Sequence, residues 1–230
     1  MTVIKRLLQG SLLLVVAGVV SCTCPCKKSA APTVNLFNGK DLTGWRAVLA
    51  KPEVKMDEVW NVRDGMIVCQ GEPLGFIETD TSYTNFKLSV EWRWAPGKEP
   101  GNSGVFLRIN GTRKPLPRCI ENQLKSGDAG DLYGFHGMKI DGDKARRVEQ
   151  KNHELGGDFA GVKKRFANEK PPGEWNRLEV LANGPKITVW VNGKQVNEAF
   201  GCEVVAGPIG LQSEGGEVYF RHVRLTPLGP

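Results

Sequence analysis

The sequence is poor in the residues and patterns that many catalytic chemistries leave behind. Among 230 residues there are three histidines, three tyrosines and four methionines. A phosphate-cradling glycine loop, a nucleophile elbow and a zinc-protease motif are all missing, which removes the readings those motifs carry. The apolar run Leu12–Val20 is shorter than the ~20 residues that cross a bilayer comfortably. A strong charge of one sign is lacking too. Without residues 1–21, which hold Lys5 and Arg6, 29 basic residues face 25 acidic ones. That mild excess does not call for a nucleic-acid partner. The short clusters Lys144–Arg147 and Lys163–Arg165 read as solvated loop charges.

Cysteine is present in an arrangement that argues against a metal centre. Of six cysteines, Cys22, Cys24 and Cys26 crowd together near the N-terminus, and Cys69, Cys119 and Cys202 are dispersed. The spacing of the first three is poor for zinc, and no second half with His or Cys lies nearby. In an oxidising compartment one pair of the dispersed three can bridge, leaving one spare. Asp128, Asp131 and Asp141 are possible cation ligands, but no motif supports them, so no cofactor is expected.

What is there begins with an export signal. Lys5 and Arg6 precede the apolar run, which ends at Ser21-Cys22, the layout of a secretory signal. Val19-Val20-Ser21-Cys22 resembles the lipobox of bacterial lipoproteins, whose cysteine becomes the acylated first residue. Each buried methylene of such an anchor contributes about 0.8 kcal/mol. Residues 1–21 are therefore read as a lipoprotein signal peptide, 22–33 as a polar tether, and 34–230 as one domain. The expected location is the bacterial cell envelope, lipid-anchored through Cys22, facing the periplasm or the cell exterior.

The domain reads as all-β. It is rich in glycine and proline, with 28 and 14 in the whole chain. Phe86, Leu88, Val90, Trp92 and Trp94 alternate with polar residues at a period of two. Val59–Val62 and Met66–Gln70 flank Asp64-Gly65, and Leu178–Leu181 and Ile187–Val191 flank Asn183-Gly184, two hairpin signatures. Gly104–Ile109, Cys119–Leu124 and Val218–Leu225 are further strands, and Ala145–Asn152 is the one helix-like stretch. Strands at this spacing imply a sandwich or jelly roll of antiparallel sheets. Residues 127–173 read as a long polar loop that shapes a site or lacks order.

Alternation nominates functional residues. If the strands around 86–94, 104–109 and 119–124 are neighbours, one face collects Glu91, Arg93, Arg108, Glu121 and Gln123, a set able to hold a polyhydroxylated ligand. Asn102 and Ser103, in Gly101-Asn102-Ser103-Gly104, offer polar groups at the rim. In the long loop His136 is a candidate acid or base and Tyr133 a proton carrier or stacking residue. Trp190 points away from the apolar set of its strand and is the best candidate for sugar stacking; Trp45 and Trp175 are weaker ones.

The motif Leu36-Phe37-Asn38-Gly39-Lys40-Asp41-Leu42-Thr43-Gly44-Trp45 resembles the opening of the 3-keto-disaccharide hydrolase domain family. Glu91-Trp92-Arg93, Gly101–Val105, Glu121–Leu124, Gly173–Asn176, Val191–Lys194 and Gly207–Gln212 follow in the family's order. The resemblance implies a concanavalin A-like jelly roll and cleavage of glycosides whose glucose carries a 3-ketone. It implies Glu121 or His136 as base or acid, with Arg93, Arg108 and Gln123 holding the ketone and hydroxyls. Direct hydrolysis would instead pair Glu91 with Glu121. Lys125 departs from the acidic residue expected there. The alternative function is a non-catalytic carbohydrate-binding lipoprotein, and an envelope interaction module is a third reading.

Overall fold

The computed structural model describes residues 31–229; the signal peptide, the lipobox and most of the tether lie outside them. The strands are β1 (Val34–Asn35), β2 (Trp45–Leu49), β3 (Trp60–Arg63), β4 (Met66–Cys69), β5 (Gly75–Thr79) and β6 (Phe86–Trp94). Then come β7 (Gly104–Asn110), β8 (Arg118–Gln123), β9 (Leu132–Gly134), β10 (Arg147–His153) and β11 (Gly157–Val162). The last five are β12 (Asn176–Asn183), β13 (Lys186–Val191), β14 (Lys194–Ala199), β15 (Gly210–Ser213) and β16 (Val218–Pro227). One short helix, α1 (Met56–Val59), precedes β3.

These strands form two antiparallel sheets. Sheet A runs β14-β13-β12-β6-β16-β4-β3, with β1 paired to β16, and sheet B runs β10-β11-β9-β8-β7-β15-β5-β2. The pleat explains the core. On β6 the alternate residues Phe86, Leu88, Val90, Trp92 and Trp94 are buried. They join Val105 and Leu107 of β7, Ile120 of β8 and Leu211 of β15 in one apolar cluster between the sheets. Period-two alternation sends the intervening residues of sheet B, including Phe76, Phe106 and Cys119, to the opposite face, where a second cluster forms.

Turn chemistry sets the hairpins. Asp64 and Gly65 both take positive φ, 52° and 70°, between β3 and β4, the conformation a two-residue hairpin turn requires. The expected hairpins, with β12 paired to β13 as the second, are present.

Two expectations are corrected. The stretch Ala145–Asn152 is not helical; most of it is β10, an edge strand mostly exposed along its length. With neither face buried, its polar residues carry no period of two. The long loop of 127–173 is also not simply a loop, because β9, β10 and β11 lie inside it and extend sheet B. The dispersed cysteines, Cys69, Cys119 and Cys202, are buried and form no disulfide among the described residues.

Candidate active site on sheet B

The register of sheet B lines up a row of residues on its outer face. Across the strands, Arg46 pairs with Glu78, Glu78 with Gly210, Gly210 with Phe106, Phe106 with Glu121, Glu121 with Tyr133, and Tyr133 with Gly161. Directly opposed residues in antiparallel strands have Cβ atoms about 4.5–5.5 Å apart, so Glu121 and Tyr133 are immediate neighbours on one face. In the adjacent row Gly104 pairs with Gln123.

Glu121 is the unusual member. Its side chain is buried and Oε1 has no hydrogen-bond partner among the described residues. The carboxyl lies over Gly104, where a Cβ would stand 2.2 Å from Oε1; the glycine is what gives the carboxyl its seat. Glu78 shows what a merely structural buried carboxylate looks like in the same row. It is held by Arg46 at 2.8 Å and Arg113 at 2.9 Å. No cation reaches Glu121 among the described residues. Burial pushes its carboxyl well above the ordinary range, and the nearby charges of Glu214 and Asp131 push it the same way.

Polar groups surround it. Gln212 donates from Nε2 to Glu214 at 2.6 Å, and its Oε1, like Oδ1 of Asn102, is buried without a partner among the described residues. Burial raises the carboxyl of Glu214, opposed by the Gln212 hydrogen bond and by Lys125. Three buried acceptors without donors make a region that a ligand rich in hydroxyls can satisfy. Glu214 also borders an open hollow of about 390 Å³ whose walls include Lys51, Pro73, Leu74 and Leu155.

Beside Glu121 stands a second constellation. Asp131, fully buried, accepts from Lys163 Nζ at 2.9 Å and from the Lys164 backbone N–H at 2.7 Å. Lys163 Nζ also donates to the Tyr133 hydroxyl at 2.6 Å, and that hydroxyl lies 3.3 Å from Asp131 Oδ2. Burial raises the Tyr133 phenol, partly offset by Lys163. Burial acts against the charge on Lys163, but hydrogen bonds to Tyr133 and Asp131 outweigh it and raise its pKa. The ring of Tyr133 rests over Gly161, where a Cβ would come within 2.5 Å of Cδ1, and it packs against Phe135 and Phe159.

The expected residues are distributed unevenly. Glu121, Gln123 and Tyr133 share the outer face of sheet B, although Gln123 turns its Oε1 to the backbone N–H groups of Leu124 and Lys125. The turn at Asn102 and Ser103 is clamped beside it, with Asn102 N–H donating to Gly215 and Ser103 Oγ to Gln212. His136 bonds the Leu116 carbonyl at 2.9 Å through Nε2 and packs over Gly157, which pins a turn. The single face proposed from alternation does not exist. Glu91 and Arg93 sit on β6 in sheet A, so they cannot join Glu121 and Gln123. Glu91 pairs there with Arg221 at 2.7 Å and His222 at 3.1 Å. Arg93 stacks on Trp175 and Tyr219. Arg108 does lie on sheet B, but it is a buried clamp, donating to the carbonyls of Thr84, Gly184 and Glu203. Trp190 lies on β13 of sheet A, and Trp45 is a core residue whose indole N–H bonds Leu36.

Sequence reasoning missed Lys163, Gln212 and Glu214 and weighed Asp131 only as a metal ligand. Their signal lay in the pairing of β9 with β11 and in the adjacency of β15 to β7, neither of which periodicity reveals. Among the described residues no group of three or more His, Cys, Asp or Glu has metal-holding geometry. Asp131 is taken by lysines, and Asp141 pairs with Arg147 at 3.1 Å.

Comparison with known proteins places this geometry in context. A family model described as a 3-keto-alpha-glucoside-1,2-lyase-like domain matches residues 32–226. A 3-keto-disaccharide hydrolase of Bacteroides thetaiotaomicron is 23% identical over 244 aligned positions, covering 85% of this chain and 78% of that protein. A candidate glycosyl hydrolase of Parabacteroides distasonis has a similar structure, with TM-score 0.61 and 24% identity, over 86% of this chain and 94% of the other. A carbohydrate binding module from Bacillus subtilis shares the fold at TM-score 0.52 and 14% identity, over 80% and 96% of the two chains. The concanavalin-like sandwich and the extent of the family match together identify the chain: it belongs to the 3-keto-alpha-glucoside-1,2-lyase-like domain family.

Proposed function

We propose that this protein cleaves the glycosidic bond of 3-keto-disaccharides or related 3-keto-glycosides, with Glu121 as the proton-transferring group. The observation that carries the reading is the buried carboxyl of Glu121 over Gly104, which no cation reaches among the described residues, together with the partnerless oxygens of Gln212 and Asn102. Family membership and the name of the Bacteroides relative support the substrate class.

The chemistry follows from the ketone. A carbonyl at C3 acidifies the C2–H bond, so a base in a dry site can remove that proton. The electron pair moves onto the C3 oxygen as an enolate, then returns to expel the C1 oxygen, which takes a proton as it leaves. Addition of water to the resulting enone completes a net hydrolysis; omission of that step leaves a lyase product. A carboxyl of raised pKa is suited to accept the first proton and to return it. Glu214 is a second carboxyl of the same kind close by, and Gln212 and Asn102 offer their free acceptors to sugar hydroxyls. Direct hydrolysis by Glu91 and Glu121 has no support, since the two lie on different sheets.

Binding without turnover is the second reading, favoured by the likeness to the Bacillus carbohydrate binding module. The export and Cys22 anchoring inferred from residues 1–33 belong to the proposal, which has the site facing the periplasm or cell exterior and invokes neither a cofactor nor a nucleic-acid partner. The deciding measurement incubates the chain from residue 27 with a 3-keto-disaccharide and with its unoxidised parent, in chelator and in added divalent cation. Release of the second sugar from the keto form alone, lost in Glu121→Gln, is the expected result. Saturable binding without release under any condition establishes the lectin-like alternative.

A further inference from the structure

The Asp131–Lys163–Tyr133 constellation is more elaborate than packing needs. Lys163 belongs to a basic cluster that looks like ordinary surface charge in the sequence. In the fold it follows β11, and its ammonium is divided between a buried carboxylate at 2.9 Å and a phenol at 2.6 Å. Asp131 is fully buried, and its Oδ1 also takes the Lys164 backbone N–H. The carboxylate is therefore fixed from two sides, and it fixes Lys163 in turn. Lys163 donates to the phenolic oxygen, so the hydroxyl hydrogen of Tyr133 must point elsewhere. Its one acceptor among the described residues is Asp131 at 3.3 Å, longer than the usual 2.5–3.0 Å of an O–H···O bond. That hydrogen is free to turn to a better acceptor, and the cation behind the oxygen makes it a stronger donor.

Its position decides which acceptor that is. Tyr133 is the cross-strand partner of Glu121 on one sheet face. The Tyr133 ring leans over Gly161 of β11 and the Glu121 carboxyl over Gly104 of β7, so the two groups flank the seam between β8 and β9 from opposite sides. Gly161 beneath the ring and the stacked Phe135 hold the ring in place.

We propose that Tyr133 is a further catalytic residue, donating a hydrogen bond to the C3 carbonyl oxygen of a 3-keto sugar, with Lys163 and Asp131 as positioning residues. The assignment rests on the keto-glycoside reading above. When Glu121 takes the C2 proton, the electron pair of that bond becomes the new C2–C3 double bond and the carbonyl π pair moves to the C3 oxygen. The hydrogen bond from Tyr133 stabilises the resulting enolate oxygen, and no other reactant is needed. The return of that pair breaks the C1–O bond, so the donor acts on both halves of the reaction.

The test separates enolisation from bond cleavage. A 3-keto-1,5-anhydro sugar has no leaving group at C1, so enolisation is read from exchange of its C2 proton with deuterated solvent by NMR. Cleavage of a 3-keto-disaccharide is followed in parallel. Tyr133→Phe is expected to slow both exchange and kcat by roughly 100–1000-fold, the size of losing one preorganised donor, with KM changed less than about threefold and an unaltered Tm. Lys163→Gln should slow both by a smaller factor, with Lys163→Arg recovering part of it. Exchange and cleavage in Tyr133→Phe within threefold of the unaltered protein overturn the assignment while leaving the function standing. An unaltered protein that neither exchanges nor cleaves overturns the keto-glycoside reading and the assignment with it.

Discussion

The same row of sheet B holds two buried glutamates with opposite fates, and the difference is one of neighbours. Two guanidiniums satisfy Glu78, whereas Glu121 has a carboxyl oxygen with no partner among the described residues. A buried carboxyl of that kind stays protonated to higher pH in the folded state than in the unfolded chain, where it titrates near 4.5. Between those two values the folded state holds the extra proton, so stability falls as pH rises through the window. Glu121→Gln carries no such dependence. Its Tm should therefore exceed that of the unaltered protein by a margin that grows from about pH 4.5 upward, then levels off. A margin that is constant over the same range, read by calorimetry, contradicts an elevated Glu121. In the cleavage assay the same substitution should cost about 100- to 10,000-fold, the usual range for a lost acid or base.

At the scale of elements, the site depends on how closely loops approach. A Cβ on Gly101 would stand 1.9 Å from the Gly215 carbonyl oxygen, so Gly101→Ala must part the loop that carries Asn102 from the one that carries Glu214. The expected cost is about 1–3 kcal/mol, measured as a lower urea midpoint, with activity falling further than stability explains. Legibility follows the same scale. The strands β6, β7, β8, β12, β13 and β16 were readable because one face of each is apolar, and Glu121 and Tyr133 were readable as polar residues near such strands. The site's second row was not. Lys163 gains its meaning only when β11 pairs with β9, a contact between segments with no alternation of their own. Grouping Glu91 with Glu121 failed for a related reason: period two says which residues share a strand face, but not which sheet the strand joins.

For the whole molecule, a closed sandwich makes a simple chemical prediction. Cys69, Cys119 and Cys202 are buried thiols, and burial pushes Cys69 and Cys202 up to about 12. The chain from residue 27 should therefore show no thiol reacting with a disulfide reagent at neutral pH, and three after denaturation. Early reaction of any one of them would mean that the sandwich opens locally around it. The strand that hid from pattern reading has a further effect on how molecules meet. β10 forms one border of sheet B, and it carries Arg147, Glu149 and Lys151 along an exposed backbone. An unpaired border invites a strand from another molecule, and charged side chains discourage it. The charges that mask β10 in the sequence thus protect the border nearest Tyr133 and Lys163, discouraging neighbouring copies from zipping together beside the site.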